Sequence, residues 1–239
     1  MPTSAITNTA DGGLIVAVDG PSGAGKSTAC RAIAKLFDAR YLDTGAMYRV
    51  ATLHVLRLGI DPTDDVAVAA ATSNLPLEIN DDPQSTAVVL SGEDVSEEIR
   101  GTTITRNVSA VSAIPQVRSN LVALQRHMVQ QAHRCIVDGR DIGTNVLTDA
   151  PLKIFLTASA EVRAKRRFDQ DTAAGKTLDF ATVLADVKRR DELDSTRSLN
   201  PLRPAADAIV IDTSELDLQQ TIDSLATLVR QSVERSAQQ

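Results

Sequence analysis

Tryptophan is absent from these 239 residues, and aromatic side chains of all kinds make up only 3%. That scarcity removes the stacking platforms on which single-stranded nucleic acids are bound. An excess of basic charge is missing too: 25 Lys and Arg stand against 31 Asp and Glu, a net charge of −6. Broad binding to a nucleic-acid polymer runs on the opposite sign. No run approaches the roughly 18 apolar residues of a membrane span. The opening MPTSAITNTADGG has neither the basic nor the apolar region of a signal peptide, so residues 1–13 read as a short disordered tail and the cytoplasm as the default compartment. The two cysteines, Cys30 and Cys135, fall in expected core elements and read as buried reduced thiols rather than as a disulfide or metal pair.

What is present is a chain that is 43% hydrophobic and long enough for one large domain, residues 14–239, with room for a small insert. Its organising stretch is Leu14 to Thr28, LIVAVDGPSGAGKST. An apolar run stops at Asp19, and a loop follows through Gly20, Pro21, Ser22, Gly23, Ala24 and Gly25. Lys26, Ser27 and Thr28 then open a helix-forming stretch. This is G-x-x-x-x-G-K-S between a strand and a helix, the setting in which backbone N–H groups converge on the phosphates of a nucleoside triphosphate. The helix start adds a positive dipole end. Lys26 would reach the outer phosphates and Ser27 would place its hydroxyl on Mg²⁺. A glycine-rich turn that binds nothing does not account for all eight positions in that setting.

Further along, helical patterns are expected over 27–37, 46–58, 63–72, 116–133 and 179–194, with an amphipathic helix at the end. Strands are expected at Leu14–Asp19, Ala39–Asp43, Cys135–Val137, Lys153–Thr157 and Ala208–Asp212. A hairpin-like pair, Leu77–Ile79 and Ala87–Leu90, falls within an insert over about 62–105. Aliphatic strands alternating with helices indicate an α/β fold: a five-stranded parallel sheet, covered on both faces, in the three layers of a P-loop NTPase-like protein. Ligands of such sheets bind at the carboxyl ends of the strands. His54, His127 and His133 fall in helical stretches without a motif and read as packing or surface residues.

Three further clusters carry charge. Asp43-Thr44-Gly45-Ala46-Met47-Tyr48-Arg49 offers a hydroxyl, a backbone N–H and an Arg at a helix start, enough to hold a second phosphate. It also makes an ordinary helix cap at Thr44 with an exposed arginine, and the residues alone do not decide. Asp138-Gly139-Arg140-Asp141, at a strand end, could serve a magnesium shell, a phosphate and a polar base; a surface ion pair in a turn is the plain alternative. Arg190, Asp194 and Arg197 are spaced i, i+4, i+7 and share one helical face, which is also how solvated salt bridges are arranged.

Taken together, G-P-S-G-A-G-K-S, D-T-G-A-M-Y-R, the Pro115 to Arg118 P-x-V-R, D-G-R-D and R-x-x-x-D-x-x-R-x-x-x-P-L resemble, in order, the bacterial cytidylate (CMP) kinases. The resemblance runs from about Leu14 to the last helix. It implies transfer of the γ-phosphoryl group of ATP to CMP or dCMP, with Mg²⁺, by a monomer that uses no nucleic-acid polymer and no membrane. It implies that Thr44, Tyr48, Arg49, Arg140 and Arg197 hold the CMP phosphate, that Ser109, Arg118 and Asp141 face the cytosine, and that Arg190 and Asp194 meet the sugar. The 62–105 insert then corresponds to the part that binds the monophosphate. Arg163, Arg166 and Arg167 fall in a lid over about 160–178, and any of the three could reach the transferred group. Asp138 is the candidate for the magnesium shell beside Ser27. Thymidylate or shikimate kinase chemistry is disfavoured by the D-T-G-A-M-Y-R and R/D/R sets. A GTPase switch would need D-x-x-G and N-K-x-D, and neither occurs.

Overall fold

The structure, a computed structural model, describes residues 13–238. The tail expected over 1–13 therefore lies outside the described residues apart from Gly13. In chain order the elements are β1 (Leu14–Asp19), α1 (Lys26–Leu36), β2 (Arg40–Asp43), α2 (Thr44–Arg57), α3 (Asp65–Ala71), β3 (Leu77–Ile79), β4 (Val88–Leu90) and β5 (Glu93–Asp94). There follow α4 (Thr102–Ala113), α5 (Pro115–Gln131), β6 (Arg134–Asp138), β7 (Leu152–Thr157), α6 (Ala160–Ala173), α7 (Phe180–Thr196), β8 (Ile209–Asp212) and α8 (Leu218–Ser236).

Five strands form one sheet in the order β2-β6-β1-β7-β8, every pairing parallel. Alternation along β1 shows how both faces are filled. Leu14, Val16 and Val18 pack with Ile33 of α1 and Leu225 and Val229 of α8, while Ile15 and Ala17 pack with Met47 and Val55 of α2 and Leu121 of α5. Period-2 side chains that are apolar on both faces require a layer of helices on each side. Coverage is incomplete at one edge: β8 has a single strand neighbour, and Ile209 and Val210 remain 37% and 55% exposed. Among the described residues no helix is long and apolar enough to cross a membrane.

A second sheet, β3-β4-β5, is antiparallel and packs its Val88 and Leu90 against Val50 and Leu53 on the outer face of α2. α2 is thus buried on two sides. The β4–β5 connection, Ser91-Gly92, has φ of 54° and 81°, the conformation of the two-residue turn that matches strand twist. Two local expectations are corrected. Asp43, not Thr44, caps α2, accepting from Ala46 N–H at 2.9 Å. His133 is outside α5: with φ 46° it makes the left-handed turn into β6, because the chain must reverse there.

Register brings the carboxyl ends together. Asp138 of β6 lies beside Val18 on one side and Asp43 on the other. Since β1 leads through α1 toward β2 while β7 and β8 lie on its other flank, the crevice beside β1 is where an open α/β sheet receives ligands.

Candidate active site

The loop after β1 turns through three glycines, Gly20, Gly23 and Gly25, all at positive φ. At Gly20 the reason is plain: φ is 146°, and a Cβ would collide with the carbonyl oxygen of Leu156 on β7. Lys26 begins α1 with its ammonium folded into the loop, donating to the Pro21 carbonyl at 2.9 Å and lying 3.9 Å from Asp138 Oδ1. Burial, and then the neighbouring Arg140 guanidinium, push its pKa down to about 8. The Ser27 hydroxyl donates to Asp138 Oδ2 at 2.6 Å, and the Tyr41 hydroxyl donates to the same oxygen at 3.2 Å. Thr28 is exposed one position further along α1.

Opposite this loop opens a cleft lined by Thr44, Gly45, Tyr48, Val108, Ser109, Ser112, Arg118, Gly139, Arg140, Asp141, Arg190, Asp194 and Arg197. All of the acceptor-side candidates except Arg49 are on its wall. Four arginines and two aspartates converge there from α5, α7, the turn after β6 and the end of α7. Asp141 pairs with Arg118, accepts from Asn145 Nδ2 at 3.0 Å and lies 3.4 Å from Arg197 Nη2. Asp194 is 3.3 Å from Arg140 Nε and 4.0 Å from Arg190 Nε. Two carboxylates do not neutralise four guanidinium groups. Arg190 is lowered to about 10 by burial and then by Arg140, and Arg197 is lowered by burial and then by Arg118. A cleft of crowded, partly desolvated cations is built for a polyanion.

The two halves are tied together. Thr44 Oγ1 donates to the Asp138 carbonyl at 2.7 Å, and Arg190 Nη1 reaches Ser22 Oγ in the phosphate loop at 3.3 Å. Asp19, at the end of β1, accepts from the N–H groups of Ile142 and Gly143 at 2.7 and 2.8 Å, which fixes the turn carrying Arg140 and Asp141. Burial raises that carboxyl to about 6. Sequence reasoning used Asp19 only as the end of a strand; a charged residue closing a fully apolar run was the signal available.

The remaining basic candidates differ in how they are engaged. Arg49 is engaged by the insert and α4, donating to the Ile99 carbonyl at 2.9 Å and to Thr105 Oγ1 at 3.0 Å; burial, then Arg190, lower it to about 9. Arg163 is bidentate to Asp191 at 2.9 and 2.6 Å and also donates to the Ser22 and Ala158 carbonyls. Arg166 is turned to the Thr213 and Leu216 carbonyls, at 2.6 and 3.2 Å. Arg167 is paired with Asp171 one helical turn away, at 2.7 Å.

Residues 16–231 match the family described as Cytidylate kinase. The chain belongs to the cytidylate kinase family. Relatives that carry the name Cytidylate kinase include one from Corynebacterium diphtheriae, 70% identical over 95% of this chain and 99% of its own length. Another, from Corynebacterium glutamicum, is 67% identical over the same shares. A third, from Nocardia farcinica, is 57% identical over 95% of this chain and 97% of its own. Membership in the cytidylate kinase family fits a site with one phosphate loop and one arginine-rich cleft facing it. It also fits a site without a histidine: His127 and His133 are exposed and His54 is half-buried on α2.

Proposed function

We propose that this chain transfers the γ-phosphoryl group of ATP to CMP and dCMP, giving ADP and CDP or dCDP, as a cytoplasmic monomer acting on free nucleotides. The observation that carries the reading is the pairing of a complete phosphate loop with a cleft holding Arg118, Arg140, Arg190 and Arg197 across the same strand ends. In this reading residues 62–105 are the part that closes on the monophosphate and 160–178 the lid over ATP.

The acceptor oxygen belongs to a phosphate whose second pKa is near 6, so at pH 7 it is already mostly a dianion and needs no strong general base. The work is positioning and charge stabilisation. Gly20 to Thr28 cradle the ATP phosphates with backbone N–H groups, and Lys26 leaves the Pro21 carbonyl to bridge toward the transferred group. Thr44, Tyr48, Arg49, Arg140 and Arg197 hold the CMP phosphate in line, while Arg190 and Asp194 orient the sugar. Arg49 must turn from Ile99 and Thr105 to do so, which closure of the insert would bring about. Ser27 Oγ and Asp138 Oδ2, 2.6 Å apart, are two hard oxygens that would hold Mg²⁺. The ion would neutralise charge between the phosphates. Among the described residues Arg167 has only Asp171 on its own helix as a hydrogen-bonded partner, whereas Arg163 and Arg166 hold several groups from other elements. Arg167 is the one freest to swing onto the transferred group, and closure then excludes water that would otherwise hydrolyse ATP.

A coupled ADP-release assay over CMP, dCMP, UMP, AMP and shikimate tests the reading; turnover with any acceptor in preference to CMP defeats it. Base choice is expected to follow hydrogen bonding. Asp141 accepts from the cytosine amino group while Arg118 and Ser109 serve the ring acceptors. Uracil presents an oxygen where Asp141 needs a donor, so kcat/KM for UMP should fall by about 10- to 100-fold. Equal values for UMP and CMP would remove the assignment of Asp141.

Lys26 gives a second expectation. Its pKa of about 8 in the free protein must rise when phosphates surround it. ATP binding near pH 8.5 is therefore expected to take up a proton, visible as a binding enthalpy that changes with the ionisation enthalpy of the buffer. Identical enthalpies in phosphate and Tris would contradict it.

A further inference from the structure

Helix α5 buries Val117, Arg118, Leu121, Val122, Gln125 and Val129 along one face. Five of these have an evident place: four are apolar and Arg118 pairs with Asp141 in the cleft. Gln125 does not. It is completely buried, yet neither Oε1 nor Nε2 reaches a hydrogen-bond partner among the described residues. The buried Tyr48 hydroxyl is equally without one. Tyr48 stands on α2, which packs against this face of α5. Burial raises the phenol's pKa, and after it the Arg118, Asp141 and Arg197 charges and then the Gln125 amide act on it. Tyr48 in turn lines the cleft, its ring lying under the Arg118 guanidinium at 5.4 Å. The helix cannot slide to relieve the amide, because Arg126 next to it clamps the carbonyls of Asn145 and Val146 at 2.8 and 2.9 Å.

A buried primary amide with both ends unsatisfied costs stability that a methionine of the same length would not. Such a group, on a helix packed against the one that carries a cleft-wall hydroxyl, is explained if it acts when the cleft is filled. We propose that Gln125 is a positioning residue for the acceptor nucleotide, acting through Tyr48. With a nucleotide in the cleft, Gln125 Nε2 donates to the Tyr48 oxygen, and the Tyr48 hydroxyl is thereby turned to donate into the cleft toward the acceptor phosphate. No bond is made or broken; one rotor is fixed. The inference rests on the acceptor assignment given above.

The test is a double-mutant cycle on the full chain with Gln125→Met, Tyr48→Phe and the pair. Gln125→Met is expected to melt at the same temperature or higher, while KM for CMP rises about fivefold or more and KM for ATP stays within twofold. In the Tyr48→Phe background the same change should alter KM for CMP by less than twofold, about the limit of additivity error. Gln125→Leu, measured alongside, is expected to show the same pattern. An unchanged KM for CMP, an equal effect in both backgrounds, or a lower melting temperature with both KM values raised together would each overturn the proposal. If the unsubstituted chain turns over CMP and the cycle is flat, only this inference falls. If the unsubstituted chain does not use CMP, the acceptor assignment falls and takes the inference with it.

Discussion

Lys26→Ala is expected to lower turnover by about a thousandfold or more, with the fold retained. The size follows from where the charge sits. The ammonium is 5% exposed, folded into the loop and within 3.9 Å of Asp138. In a site so dry a point charge aimed at the phosphoryl group is worth far more than in solvent. The fold should survive because Lys26 is a cost to the free protein. Its pKa is depressed by burial, which means that the unfolded chain holds that proton more tightly than the folded one. Alanine removes that cost and leaves the apolar packing of Ala29, Ile33 and Ala34 on α1 intact. Steady-state ADP release with CMP and a far-ultraviolet spectrum are the measurements; turnover within tenfold of the unsubstituted chain would contradict the assignment of the loop.

The framework was legible because each of its signals is local. The aliphatic runs of β1, β6 and β7 are read from composition, the phosphate loop from eight consecutive positions, and the end of α2 from Gly59, whose φ of 70° is the left-handed cap that glycine supplies. The convergence of Asp19, Asp43 and Asp138 was legible one step further, since parallel strands of an α/β sheet place their carboxyl ends together. What escaped the sequence was pairing at a distance. Nothing near Ser27 itself points to Asp138, 111 positions away, which the resemblance alone set beside it, and nothing near Asp19 indicates that its carboxylate holds the backbone of Ile142 and Gly143. The same holds for the three lid arginines. They are nearly adjacent in sequence and would be interchangeable by motif, yet they face different elements: Arg163 toward Asp191, Arg166 toward Thr213, Arg167 along its own helix. β8 reads as a core strand by composition, but its position at the sheet edge leaves Val210 half-exposed, and position is a property of topology rather than of residue type.

Arg197→Ala is expected to lower kcat/KM for CMP by about 10²- to 10³-fold while leaving the affinity for ATP within about threefold. Two losses combine. The guanidinium that should hold the acceptor phosphate disappears, and Asp141, 4% exposed and lying 3.4 Å from Arg197 Nη2, loses one of its charge partners. Arg118 then draws that carboxylate alone, which displaces the group assigned to the cytosine amino donor. ATP is spared because Arg197 stands at the end of α7, anchored by its Nε to the Asn200 carbonyl at 2.7 Å, and among the described residues its hydrogen bonds go to Asn200 and Asp141 rather than to the phosphate loop. Arg190, two turns earlier on the same face and bonded to Ser22 in that loop, should behave differently: its removal is expected to disturb both nucleotides. Arg197→Lys should rescue little, since an ammonium cannot hold Asn200 and a phosphate oxygen at once in the fixed geometry of a guanidinium. Unaltered kinetics with CMP in Arg197→Ala would sink the assignment, and an equal loss for ATP would show that the two phosphate sites are not separable at this residue.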